Sequence, residues 1–451
     1  MHINDFDPNF YWGVSSAAFQ TEGAYKDGGK SLSIWDTFTE GFGKIKNGDN
    51  AKQACDFYHR YGDDLDLMQS LSIPNFRLSL SWSRIIKEGG NKINTKGLDY
   101  YRRVIDKCLE NGITPWLTVY HWDLPQWIQD KGGWTNRDVL KYFEEYTSIC
   151  GREFGKTVKN WMVLNEPMVF TGLGHYLGMH APGLRGFSNF IPAIHHAALA
   201  QAEGYRILKS EVSDGYIGST FSCSYIQPYR KEKSDDQDAA KKGDAIFNRI
   251  FIEPILGLGY PVDTLPVMKK IYKYYESGDD VKLKADLDFV GLQTYTREKV
   301  RFSMWMPYVK AQLVSPEKRN VPTTEMGWEV YPKAVYRMLK RFNKYKNLPP
   351  IIVTENGAAM KDFVIGGKVN DPKRIYYLKN AIKGMSKAMA EGVDCRGYFV
   401  WTFTDNFEWN EGYFPRFGLV YTDYKTQKRI VKGSGYWYKD FLEGKKKIDV
   451  D

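Results

Sequence analysis

Eight short stretches of the chain are apolar with little alternation: 9–15 (NFYWGVS), 75–82 (NFRLSLSW), 114–122 (TPWLTVYHW), 160–167 (NWMVLNEP), 216–224 (YIGSTFSCS), 287–296 (LDFVGLQTYT), 350–357 (PIIVTENG) and 395–403 (CRGYFVWTF). Apolar on both faces is the pattern of parallel strands covered on both sides. Between them the apolar positions step by three and four. Tyr58, Tyr61, Leu65, Met68 and Leu71 form one such stripe, and Ile375, Leu378, Ile382, Met385 and Met389 form another. Each predicts a helix laying one face on a sheet. Gly112 and Gly392 stand where such helices should stop, because Gly tolerates the left-handed conformation of a helix C-terminus. Eight strand–helix units without a linker predict an α/β fold, a (β/α)8 TIM barrel running as a single domain over residues 1–451. An open doubly wound sheet would want a phosphate-binding Gly turn. GLGHYLG (172–178) has the wrong spacing for one, and GGKS (28–31) has Ala24 where a P-loop needs its first Gly.

Composition narrows the class. The chain has 451 residues, 43% hydrophobic, ample for one large core, and its 13 Trp and 31 Tyr are also the side chains that stack on sugar faces. A net charge of +9 is mild for this length. The basic runs at 229–242 and 444–451 are interleaved with acids, so they read as solvated surface and no nucleic-acid partner is expected. Five scattered cysteines with no C-x-x-C fit a reducing compartment. The N-terminus lacks a signal-like apolar segment, and no apolar run reaches the roughly 20 residues of a membrane span. A cytoplasmic protein without membrane association is expected. His175, His180, His195 and His196 make no H-E-x-x-H pattern, and neither a metal nor a cofactor is expected.

In a barrel, chemistry collects where the strands end. Those ends carry Arg77 on the second stretch, His121 and Trp122 on the third, Asn165 and Glu166 on the fourth, Tyr295 on the sixth, Glu355 and Asn356 on the seventh, and Trp401 on the eighth. Two carboxylates meeting across a barrel mouth suit glycosidic cleavage: one protonates the leaving oxygen, and the other attacks the anomeric carbon or activates water. A separation of about 5–5.5 Å would mean retention, and about 6.5–9.5 Å inversion. From the pair alone, structural readings stay open: Glu166 as a turn cap before Pro167, Glu355 as a salt-bridged acid among 54 acidic residues.

Longer motifs narrow the choice. WMVLNEP (161–167) and IIVTENG (351–357) resemble the two signatures of glycoside hydrolase family 1, the β-glucosidase family. FYWGVSSAAFQTEGA (10–24), NFRLSLSWSRI (75–85), TVYHWDLPQW (118–127), GHYLGMHAPG (174–183), TEMGWEVYP (324–332) and WTFTDNFEWNEGYFPRFGLVYTD (401–423) resemble its further blocks, in order along most of the chain. The resemblance implies a retaining enzyme on a (β/α)8 barrel, acting on a small-molecule β-glycoside or β-linked oligosaccharide such as a cellulose fragment. It implies Glu166 as acid/base and Glu355 as nucleophile, with Arg77 and Tyr295 flanking the nucleophile. Gln20, His121, Asn165, Glu408 and Trp409 would hydrogen-bond the sugar, Trp401 would lie beneath it, and Trp328 would stack on the leaving group.

Physical chemistry supports these implied roles. An Arg77 cation should depress the Glu355 pKa, and Tyr295 can donate to it. Glu166 must be protonated at rest, which the Glu355 charge favours. Glu408 would repel a phosphate, so a 6-phospho-β-glycosidase is disfavoured. A transglycosidase carries the same residues and stays open, while the presence of both Glu166 and Glu355 argues against a catalytically silent carbohydrate-binding protein. Gln293, Thr294 and Leu164 depart from the family's usual residues. They are expected to reshape the cleft and leave the chemistry untouched.

Overall fold

The computed structural model describes residues 1–449 except 88, 90 and 91, so the last two residues of the 444–451 charge run lie outside the described residues. Eight parallel strands close into a barrel: β1 (Tyr11–Ser15), β2 (Asn75–Ser79), β3 (Thr114–Tyr120), β4 (Asn160–Asn165), β5 (Tyr216–Ser222), β6 (Phe289–Gln293), β7 (Ile351–Asn356) and β8 (Cys395–Trp401). Each neighbours the next in sequence, and β1 seals against β8 with Tyr11 opposite Gly397 and Ser15 opposite Trp401. All eight fall inside the predicted apolar stretches. A main helix follows each strand: α1 (Phe57–Ser70), α2 (Thr95–Glu110), α3 (Val139–Phe154), α4 (Phe187–Glu211), α5 (Ser234–Asp244), α6 (Ala334–Phe342), α7 (Pro372–Ala390) and α8 (Gly433–Leu442). The two predicted stripes lie on α1 and α7, and Leu65, Met68, Leu378, Ile382 and Met385 are buried against the barrel.

Inside the barrel, aromatic bulk fills the lower part. Trp116, Met162, Phe289, Ile352 and Phe399 form one cluster, with Tyr11 and Tyr216 packed below. Two glycines make room for it. A Cβ on Gly13 would stand 2.6 Å from the Phe399 ring, and one on Gly218 would stand 2.7 Å from Phe289. Both are closer than packed carbon atoms allow. Trp116 Nε1 donates to Asn75 at 3.0 Å, so even this apolar plug satisfies its polar atom. One step nearer the C-terminal ends the inward residues turn polar: Arg77, Thr118, Asn165, Thr220, Gln293 and Glu355. The plug is the dry floor on which that layer rests.

The two strands that carry the candidate carboxylates are irregular just where it matters. The β4–β5 register shifts between Met162 and Asn165, and the β7–β6 register shifts between Val353 and Glu355. Such a shift re-aims the following side chain. The connection between β6 and α6 spans residues 294–333. It holds Arg297–Phe302, which pairs in parallel with Tyr225–Pro228 and antiparallel with Ala311–Leu313. Among the described residues, no helix is long and apolar enough to cross a membrane.

Candidate active site

Glu355 is the penultimate residue of β7 and almost fully buried. A buried carboxylate needs donors, and three side chains supply them. Arg77, from the middle of β2, ion-pairs with Oε1. Gln293 Nε2 donates to the same oxygen at 2.8 Å, and Tyr295 Oη donates to Oε2 at 2.6 Å. Arg77 is itself clamped. Its Nη2 donates to Asn165 Oδ1 at 2.5 Å and its Nε to Thr118 Oγ1 at 3.1 Å. The next residue, Asn356, anchors the strand end by donating to the Thr294 carbonyl at 2.5 Å and accepting from Tyr398 at 2.7 Å. Neighbouring strands thus fix the Glu355 carboxyl in place before any ligand arrives.

Glu166 follows the last residue of β4. Its backbone is left-handed, with φ +43°, and it precedes Pro167, the first residue of a short helix. Proline suits a first helical position because it has no N–H to satisfy there. A non-glycine residue at positive φ costs free energy and persists only where its surroundings hold it. Here the Glu166 N–H is tied to the Thr220 carbonyl at 3.1 Å. Asn165, just before it, has its carbonyl held by Trp122 Nε1 at 2.8 Å. Its Oδ1 accepts from Arg77, Gln293 and Thr220, and its Nδ2 lies 3.0 Å from His121 Nε2.

The two carboxyls titrate differently. Burial pushes Glu166 well above the usual carboxylate range, and the neighbouring Glu355 charge pushes it the same way. Burial raises Glu355 too, while Arg77 and Tyr295 pull it back. Glu355 is therefore the one that ionises first, and Glu166 the one that keeps its proton. Arg77 acts in the direction the sequence suggests, but burial outweighs it, so Glu355 does not fall below its ordinary value. His121 is held well below its ordinary pKa by burial and by the Arg77 charge, and so is neutral.

The rest of the cleft wall comes from the first and last turns of the barrel. Gln20 Nε2 donates to Asn406 Oδ1 at 3.1 Å, the Phe407 carbonyl at 2.9 Å and Glu408 Oε2 at 3.3 Å. Burial and the Glu355 charge push Glu408 up to about 8. The His121 ring lies 6.1 Å from Trp401 and 5.9 Å from Trp409. Trp401 belongs to an apolar patch with Ala17 and Phe417, against which Tyr295 and Trp328 pack. The half-buried Trp328 ring is 5.5 Å from that of Tyr295.

The eleven residues to which the family resemblance gives roles form one connected cluster. Gln20 Oε1, His121 Nδ1 and Gln293 Oε1 are buried there without a hydrogen-bond partner in the protein. Buried polar atoms normally have partners, so three spare ones beside two carboxyls and a tryptophan face suit a polyhydroxylated ligand. The sequence marks Gln293 only as a departure that reshapes the cleft. The structure corrects that, since Gln293 bonds the candidate nucleophile directly. A long amide at an inward position of a barrel strand end is the available signal. Thr220 gives none, because its role depends on contacts across strands, and Trp122, marked in the sequence only by its place at a strand end, is set by the structure against the Asn165 carbonyl.

Comparisons with known proteins agree with this geometry. The chain is 43% identical to β-glucosidase A of Thermotoga maritima over 445 residues, 98% of this chain and 99% of that one. It is 41% identical to a 1,4-β-D-glucan glucohydrolase of Thermotoga neapolitana, again over 98% and 99% of the two chains. The solved structure of the Thermotoga maritima β-glucosidase in complex with deoxynojirimycin superposes with a TM-score of 0.93 at 42% identity, covering 98% of this chain and 99% of that one. Residues 2–447 match the family model described as glycosyl hydrolase family 1. With its closed eight-stranded barrel and its two carboxyls at the ends of β4 and β7, the chain belongs to glycosyl hydrolase family 1.

Proposed function

We propose that this protein is a retaining β-glucosidase that removes terminal, non-reducing β-D-glucosyl residues by double displacement. The observation that carries the reading is the unequal bracing of two buried carboxyls whose charges interact. Glu355 is braced as an anion by Arg77, Gln293 and Tyr295, and Glu166 is kept protonated by burial and by the Glu355 charge.

In the first step a Glu355 oxygen attacks the anomeric carbon. Glu166 gives its proton to the glycosidic oxygen, which leaves as an alcohol. The product is a glucosyl ester on Glu355, with inverted configuration. Forming that ester removes the negative charge that raised Glu166. Its carboxyl then ionises and can take a proton from water, which attacks the same carbon and restores the original configuration. Asn165 lies between Arg77 and His121 at the floor and would bind the 2-hydroxyl. Gln20, His121, Glu408 and Trp409 would take the remaining hydroxyls, Trp401 would lie under the ring, and Trp328 would face the leaving group.

Glu408 favours unphosphorylated sugars: pushed up to about 8, its carboxyl can donate to and accept from neutral hydroxyls but offers a phosphate no counter-charge. Side activity on β-galactosides or β-fucosides is consistent with Gln20 and Glu408 standing side by side, a pair able to serve either orientation of a 4-hydroxyl. Cello-oligosaccharides are the proposed natural class, supported by the glucan glucohydrolase relative. A cytoplasmic setting is supported by five buried cysteines, all free thiols.

The test is Glu355→Gly with an aryl β-glucoside. Hydrolysis should be lost, and added azide should restore turnover by giving the α-glucosyl azide. A β-azide product, or undiminished hydrolysis, would remove Glu355 as nucleophile.

A further inference from the structure

Glu329 is a carboxylate almost wholly removed from solvent, yet it lies outside the sugar-binding floor. It follows Trp328 directly in the β6–α6 connection. Two guanidiniums hold it. Arg297 Nε reaches Oε1 at 3.0 Å and Oε2 at 2.9 Å, and its Nη2 donates to Oε1 at 2.7 Å. Arg319 donates to Oε2 from the other side. The Glu329 main chain is fixed as well, its carbonyl accepting from Thr296 Oγ1 at 2.8 Å. The segment folds back on itself: Thr323 pairs with Glu329, and the Thr324 N–H donates to the Trp328 carbonyl at 2.8 Å.

These contacts have one outward consequence. Residues 328 and 329 meet different neighbours: Trp328 packs against the Trp401 and Phe417 patch, and Glu329 enters the clamp. Trp328 is half-buried, its ring 5.5 Å from Tyr295 and 6.2 Å from Phe417. Arg297 stands two residues beyond Tyr295, which bonds the nucleophile. One stretch of backbone, 295–297, thus fixes the nucleophile's oxygen and, through the ion pair, the indole at the cleft mouth. A half-exposed tryptophan on an irregular loop would otherwise have to be ordered by each incoming ligand, at an entropic cost.

We propose that Glu329, held by Arg297 and Arg319, is a positioning residue for the leaving-group side. It fixes Trp328 as a rigid platform, and so sets a preference for leaving groups with a flat face, aryl or β-linked glucosyl, over those with none. The proposal rests on the reading of Trp328 as the leaving-group platform.

The readout is the ratio of kcat/KM for p-nitrophenyl β-glucoside to that for β-glucosyl fluoride. Both form the same glucosyl-enzyme, so its breakdown cancels, and fluoride has no ring to stack. Trp328→Ala should lower the ratio about three- to tenfold, the range of one lost aromatic stack. Glu329→Gln should lower it in the same direction, and the double variant should fall no further than Trp328→Ala, since Glu329 acts through Trp328. If Trp328→Ala lowers the ratio and Glu329→Gln does not, or if their effects multiply, the clamp is refuted while the platform stands. If Trp328→Ala leaves the ratio unchanged, the platform reading falls and the proposal with it. Should Glu329→Gln fail to fold, Arg319→Gln, which keeps the forked Arg297 contact, is read by the same ratio and must lower it.

Discussion

Replacing Gln293 by Leu removes one donor from Glu355, the proposed nucleophile, and one from Asn165. Glu355 Oε1 would keep Arg77, Oε2 would keep Tyr295, and Asn165 Oδ1 would keep Arg77 at 2.5 Å and Thr220 at 3.0 Å. What disappears at Glu355 is a 2.8 Å amide hydrogen bond to a buried carboxylate. Such a bond to a charged group contributes about 1.5–3 kcal/mol. A donor to the ionised form favours that form, so its loss raises the Glu355 pKa. At about 1.4 kcal/mol per pH unit, the acidic limb of the kcat/KM profile should move up by about 1–2 pH units. Burial already holds Glu355 above its ordinary value, so the move lowers activity across mildly acidic pH and spares the plateau above it. Gln293→Asn withdraws the amide by about 1.5 Å, too far to keep both of its 2.8 Å contacts, and should fall between wild type and Leu. The assay is the pH dependence of kcat/KM on an aryl β-glucoside, with the melting temperature recorded for each variant. An unmoved acidic limb with a uniform loss of rate would mean that Gln293 only fills space, and a downward move would contradict the sign of the argument.

Three other perturbations reach different parts of the site. Glu166→Ala should cost about 10²–10⁴-fold on substrates whose leaving group needs a proton and far less on a dinitrophenyl glucoside; equal losses on both would end its assignment as acid. Trapping Glu355 as a 2-deoxy-2-fluoroglucosyl ester removes the charge that raises Glu166, so the Glu166 pKa, followed by carbon NMR of labelled glutamate, should fall, and a constant value would refute the coupling. Lys432→Met strips a buried ammonium from Asp362 and Asp405, each 2.6 Å away, but leaves them Arg374 and Arg416, and should destabilise the fold by about 1.5–3 kcal/mol in urea unfolding, the worth of hydrogen bonds to charged groups; a loss below about 1 kcal/mol would show the Lys432 contacts to be dispensable.

Much of the architecture was legible because a parallel barrel writes a local signal. Each strand must be apolar on both faces and each helix on one stripe, so β1–β8, α1 and α7 could be read from neighbours in sequence alone. The ends of those strands then carried the candidate carboxyls, Glu166 and Glu355. Their motifs brought the family, and with it Gln20, His121, Trp328, Trp401, Glu408 and Trp409.

The sequence alone thus determined the alternation of elements, and it pointed to the two candidate acids and the residues gathered round them. Only the tertiary structure decided how those residues are charged and held. That Gln293 bonds Glu355, that burial outweighs Arg77 there, and that two arginines clamp Glu329 beside Trp328 all depend on side chains meeting from strands and loops far apart in the chain. Local pattern reports which face of an element is apolar. Desolvation and charge pairing are properties of the space between elements, and that space exists only once the barrel has closed.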